Sequence, residues 1–118
     1  MARSALITVV ETPEFISATR KLMDEAERAL LVDYLARHPM AGDVIPGTGG
    51  IRKLRWALEG RGKRGGARVI YFHHNAGMPL FALTAFAKNE RSDLSQQDRN
   101  DFKQLTALLV AAFERKRK

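Results

Sequence analysis

Cysteine is absent from the 118-residue chain. Its absence excludes disulfide bonds, thiolate nucleophiles and cysteine-based metal sites, and it fits a reducing cytoplasmic location. Long apolar runs are missing as well. The opening "MARSALITVVETPEF" holds only the stretch from Ala5 to Val10, broken by Thr8 and ended by Glu11. That is too short for the core of a signal peptide, and no run approaches a membrane span. No internal repeat and no low-complexity linker interrupts the chain. There are three histidines, His38, His73 and His74, and the last two are neighbours that a strand would point to opposite faces. The carboxylates are scattered and form no pair with the spacing of a two-metal nuclease. Serine-nucleophile motifs are lacking. "GTGGIRK" is not a phosphate-binding loop either. That motif runs from a strand into a helix and ends in Lys-Ser/Thr, whereas here Leu54 follows Lys53 and a strand follows the glycines. The expectation is a chain with no metal and no cofactor.

Positive charge is abundant. The formal net charge is +7 and the sequence pI about 10.3. Seven Lys or Arg fall between residues 52 and 68 against Glu59 alone, and the tail "ERKRK" adds four more against Glu114. The rest of the chain is close to neutral. A basic patch on a near-neutral body suits a polyanion such as nucleic acid, or a very acidic protein. A merely solvated basic surface is the plain alternative.

With 45% hydrophobic and 28% charged residues the composition is that of a globular chain, and the length suits one domain over residues 1–118. "ALITVV" (5–10) is expected to form a buried strand. Thr12, Pro13 and Glu14 give a helix N-cap, first position and acidic first turn, and Phe15, Thr19 and Leu22 share one face. Asp24 and Glu27 have capping-box spacing before a second helix, with Leu30, Leu31, Tyr34 and Leu35 as its apolar stripe, ended ahead of Pro39. "MAGDVIPGTGG" reads as a loop in which glycines supply positive φ. Strands follow at about 51–57, 67–74 and 80–87. Ser95 and Asp98 can cap a last helix whose stripe is Phe102, Leu105, Leu109 and Ala112. The order β-α-α-β-β-β-α predicts an α+β fold: a small, mostly antiparallel four-stranded sheet packed by helices, one face covered and the other partly open and carrying charge.

Side-chain alternation sets Lys53 and Arg55 on one face of the 51–57 strand, with Leu54 and Trp56 on the other. Such a pair, with Arg68 from the next strand, has a chemical use. RNA is cut without metal when its own 2′-hydroxyl attacks the neighbouring phosphate. The protein must then orient the attacking oxygen, stabilise a more negative phosphorane-like transition state and help the 5′-oxygen leave. Arg offers a fixed fork of donors for phosphate oxygens, and Lys a movable charge. Plain binding to a phosphate backbone needs the same residue types.

The stretch "GDVIPGTGGIRKLRWALEGRGKRGGARVIYF", followed by "AFAKNERSDLS", closely resembles the HigB-type branch of the RelE toxin superfamily, over roughly residues 5–112. The resemblance implies a RelE-like α+β domain that enters the ribosomal A site and cleaves translated mRNA by 2′-hydroxyl attack, without metal, leaving a cyclic phosphate. It implies a cognate antitoxin, of helix-turn-helix type and encoded alongside, that blocks the toxin and carries the pair to operator DNA. No membrane partner is implied. By the same resemblance Lys53 and Arg55 orient or deprotonate the 2′-hydroxyl and hold the scissile phosphate. Arg68 stabilises the transition state, and Lys88 matches the lysine after the last strand. Asn89 stands where better-studied members carry an arginine proposed as general acid, and Arg91 is the cation two positions on. The tyrosine those members carry near the final helix has no counterpart. Arg61, Lys63 and Arg64 are assigned to gripping ribosomal RNA. Two other functions stay open on the residues alone: a ParE-like DNA gyrase inhibitor, whose relatives usually lack the clustered bases, and a non-catalytic nucleic-acid-binding module.

Overall fold

The computed structural model describes residues 6–58, 66–90 and 93–116. The elements run β1 (Val9–Glu11), α1 (Pro13–Arg20), α2 (Glu25–Arg37), β2 (Asp43–Val44), β3 (Ile51–Trp56), β4 (Ala67–Phe72), β5 (Leu80–Ala87) and α3 (Gln96–Lys116). The sheet has five strands in the order β1-β5-β4-β3-β2, with β1 parallel to β5 and every other pair antiparallel. The fold class expected from the sequence stands, with one more strand. The extra strand is β2, two residues inside the glycine-rich loop that pair with Arg52 and Lys53. So short an element has no side-chain period of its own to announce it.

The helix caps follow from local chemistry. Thr12 Oγ1 accepts the Phe15 N–H at 3.2 Å, and the Asp24 carboxylate accepts the Glu27 N–H at 2.8 Å. Ser95 and Asp98 bond reciprocally ahead of α3, each side chain accepting the other's N–H, at 3.0 and 3.2 Å. Each cap satisfies donors that the first helical turn leaves open, and each is worth about 1 kcal/mol.

Helices lie over both faces of the sheet, but α3 covers its face only in part, which leaves the partly open, charged end that the sequence led one to expect. α1 and α2 close one side over Phe15, Leu31, Leu35, Leu54, Val69, Tyr71 and Leu80. α3 closes the other through Phe102, Leu105, Leu109, Val110 and Phe113, over Ile51, Ile70, Phe72, Leu83 and Phe86. Burial of each large apolar side chain here contributes about 1.5–3 kcal/mol. Two expectations change. The predicted stripe of the second helix splits, with Leu31 and Leu35 fully buried while Leu30 is 65% exposed and Tyr34 sits at the surface. The N-terminal strand is an edge strand three residues long, with Leu6 and Val10 exposed, rather than a buried one.

The loop between α2 and β3 is built around close approaches. Gly47, Gly49 and Gly50 have φ of 76°, 77° and 110°, which a side chain would strain. A Cβ on Gly49 would also run into Thr106 Oγ1. Thr48, fully buried, donates to the Ile45 carbonyl at 2.6 Å and accepts the Ile51 N–H at 3.1 Å. Its own carbonyl accepts from Thr106 of α3 at 3.3 Å. These bonds fix the start of β3 against α3.

Candidate functional site

The register of the central hairpin places Arg55 opposite Arg68, and Lys53 opposite Ile70. Alternation then sets Lys53 and Arg55 on the face of β3 that carries Ile51, and Arg68 on the face of β4 that carries Ile70 and Phe72. All of these lie on the α3 side. Where α3 lies over the sheet this face is apolar. Beyond the helix it becomes cationic, from buried Ile51 to partly buried Lys53 to exposed Arg55.

At that open end Arg55, Trp56, Ala57, Gly66, Arg68 and Lys88 line a depression of about 260 Å³. Lys88 is exposed and begins a tight turn, closed by the Glu90 N–H bonding to the Ala87 carbonyl at 3.0 Å. Its own N–H bonds back to the Gly66 carbonyl at 3.0 Å. Gly66 permits the close meeting of β3 and β4 there, since a Cβ would lie 3.2 Å from the Trp56 carbonyl oxygen. Trp56 belongs to two environments. It packs against the α1/α2-side core and meets Tyr34 edge-on at 5.7 Å, yet it also borders the depression. Among the described residues no carboxylate pairs with Arg55 or Arg68.

Lys53 does not line the depression. It lies two residues up the strand, about 7 Å along β3, with its ammonium 3.5 Å from Asp93 Oδ1. Asp93 lies in the "AFAKNERSDLS" stretch but carried no role in the sequence analysis, because a single loop carboxylate shows no partner until the fold brings Lys53 to it. Its Oδ1 also accepts the Leu94 N–H at 2.8 Å, and its Oδ2 meets Arg99 of α3 at 3.1 Å. The Leu94 N–H bond does most to hold this carboxyl below the usual range. Partial burial opposes it, and the nearby Lys53 and Arg99 cations add to the lowering.

The remaining candidates divide. Asn89 is exposed in the turn beside Lys88 but does not border the depression. Arg61, Lys63, Arg64 and Arg91 lie outside the described residues. Arg52, one of the seven cations counted between 52 and 68, leaves the group. It projects to the α1/α2 side, and its guanidinium donates to the carbonyls of Gly42 at 2.7 Å and Met40 at 3.3 Å. Tyr71 is fully buried on that side too, accepting the Gly42 N–H at 2.8 Å. Burial pushes its hydroxyl up from the ordinary value, against the Gly42 bond and the Arg52 charge; its place in the α1/α2-side core keeps it away from a site on the other face. Among the described residues no three His, Asp or Glu side chains gather as a metal-binding group, and no helix is long and apolar enough to cross a membrane.

A family described as the RelE toxin of the RelE/RelB toxin–antitoxin system matches residues 40–117, well over half of the chain. The chain belongs to the RelE toxin family. The matched span runs from the loop before β2 to the end of α3, and every candidate residue of the basic site falls inside it. This RelE-family protein is therefore the toxin of a toxin–antitoxin pair, and its partner is an antitoxin. Its cationic depression sits on the part of the chain that defines the family, while α1 and α2 precede that part.

Proposed function

We propose that this toxin is an endoribonuclease of the HigB type that cuts messenger RNA on the translating ribosome by 2′-hydroxyl attack. The observation that supports this most is the Arg55–Arg68 pair, set side by side on one sheet face with Lys88 around a single depression and with no carboxylate partner among the described residues. Like charges directly across a strand pair destabilise a sheet. A fold gains nothing from such a pair, and an anion set between the two side chains removes the repulsion.

A bent RNA phosphate can seat in this open cationic depression. Arg55 and Arg68 hold its non-bridging oxygens and stabilise the extra negative charge of the phosphorane-like transition state. Lys53, two residues along the strand on the same face, orients the 2′-hydroxyl. The 2′-oxygen loses its proton and bonds to phosphorus, the bond to the 5′-oxygen breaks, and that oxygen takes a proton as it leaves. The products are a 2′,3′-cyclic phosphate and a 5′-hydroxyl end. Lys88, with Asn89 and Arg91 beside it in sequence, flanks the leaving side, and Arg61, Lys63 and Arg64 grip ribosomal RNA. In the same reading the antitoxin is a helix-turn-helix protein encoded next to the toxin. It brings the pair to operator DNA, and the site of action is the cytoplasm.

The test is a map of 5′ ends in cellular mRNA after brief expression of the wild type and of Arg68→Ala. The expected result is growth arrest with cuts inside translated frames bearing 5′-hydroxyl ends, both relieved by the substitution. Arrest without cuts, accompanied by loss of plasmid supercoiling, would replace the ribonuclease reading with gyrase inhibition. Salt-sensitive RNA binding without scission would reduce the protein to a binding module.

A further inference from the structure

We propose that Asp93 is a positioning residue for strand scission, holding the Lys53 ammonium on the α3 side, two residues along β3 from the depression that Arg55 helps to line. The inference rests on the ribonuclease reading above. Lysine carries its charge on a flexible four-carbon stem, so it aims at nothing unless something holds it. Lys53 is held. Its Nζ lies 3.5 Å from Asp93 Oδ1. Asp93 is itself fixed from two other directions, by the Leu94 N–H at 2.8 Å and by Arg99 at 3.1 Å. Leu94 is buried in the α3-side core, and Arg99 also donates to the Pro46 carbonyl at 3.3 Å. The carboxylate is thus tied to the core, to the first turn of α3 and, through Arg99, to the loop that leads into β3.

Charge makes the role indirect. A carboxylate is repelled by RNA phosphate, so Asp93 does not touch the reacting atoms. It acts through Lys53, which meets the substrate from the α3 side while Arg55, Arg68 and Lys88 meet it from the strand ends. Arg99 offsets part of the negative charge, so that the Lys53–Asp93 pair need not exclude an incoming phosphate.

Asp93→Asn isolates this role, because the amide oxygen can still accept the Leu94 N–H while the charge is lost. In single-turnover cleavage of ribosome-bound mRNA the maximal rate should fall between about tenfold and about a hundredfold, the scale of a misplaced reacting group. The half-saturating toxin concentration should change by less than about twofold, since binding is common to ground and transition states. Asp93→Glu should recover most of the rate. In a second measurement, with side-chain-labelled lysine, NMR relaxation should show an ordered Lys53 Cε in the wild type and a solvent-like one in Asp93→Asn. A purely structural role would lower the melting temperature and leave Lys53 order untouched, and that result overturns the proposal. So does faster cleavage with tighter RNA binding, which would make Asp93 an anion standing in the phosphate's place. If wild type and Asp93→Asn cut equally well, only the positioning role fails. If wild type does not cut at all, the ribonuclease reading fails and the positioning role with it.

Discussion

Arg55 and Arg68 are direct cross-strand partners on neighbouring antiparallel strands, a like-charge pair where a stable sheet would place opposite charges or apolar branches. The pair sits at the uncovered end of the sheet face, and the cost of holding it falls on folding. Arg55→Gln should therefore leave stability unchanged or raise it by up to about 0.5 kcal/mol. It should also cut the cleavage rate by about a hundredfold or more, as loss of a preorganised transition-state donor does. Urea titration and ribosome-dependent cleavage, run on the same preparation, check the two halves. Loss of both stability and activity would place Arg55 in the framework.

Arg52 should behave in the opposite way. It lies one residue from Lys53 in sequence and on the other face in space, bonded to the carbonyls of Gly42 and Met40. Arg52→Gln leaves those carbonyls short of a donor and should cost roughly 1–2 kcal/mol. Cleavage per folded molecule should change by less than about threefold, because the side chain does not face the depression. Comparing Arg52→Gln with Arg55→Gln separates the charge that builds the loop from the charge proposed to meet the substrate.

The Gly42–Tyr71 contact anchors the same loop. Tyr71→Phe removes the acceptor of the Gly42 N–H and should cost about 1–3 kcal/mol, the range for a buried donor left unpaired. Gly42→Ala should cost at least as much. Its Cβ would lie 2.9 Å from the Tyr71 hydroxyl oxygen and 3.0 Å from the Lys53 carbonyl, and backbone cannot yield as a side-chain tip can. In both variants the urea midpoint should fall with an unchanged slope.

His73 gives a pH dependence. Burial first, then the Arg52 charge and His74, lower its pKa from the ordinary value, and its Nδ1 is buried without a hydrogen-bond partner among the described residues. In the window below the ordinary imidazole value the unfolded chain then binds more protons than the folded one. Stability should rise with pH across that window and be lost as pH falls through it. Thermal melts between about pH 7.5 and about pH 5 should show a decline that is smaller in His73→Gln. An equal decline in both proteins would assign the effect to other groups.

The elements with strong local signals were legible in the chain. The caps at Thr12, Asp24 and Ser95 are set by short-range bonds that a sequence spells out. The alternation of β3 and β4 already put Lys53 and Arg55 on one face, because strand side chains reverse at every residue. The antiparallel α+β class followed from the order of those elements. In contrast, α3 comes last in the chain, and nothing in its own stripe says which sheet face it will cover. Its placement over Ile51 and Phe72 decided that the cations emerge only at one end.

What the amino acids fixed alone was periodicity, capping and the excess of positive charge, all properties of neighbours along the chain. Tertiary packing decided which cations work together, because register and long-range contact join residues that sequence holds apart. Arg55 met Arg68 through strand register. Lys53 met Asp93, forty residues on, through the seating of α3. Arg52 was turned away by a single step of the pleat.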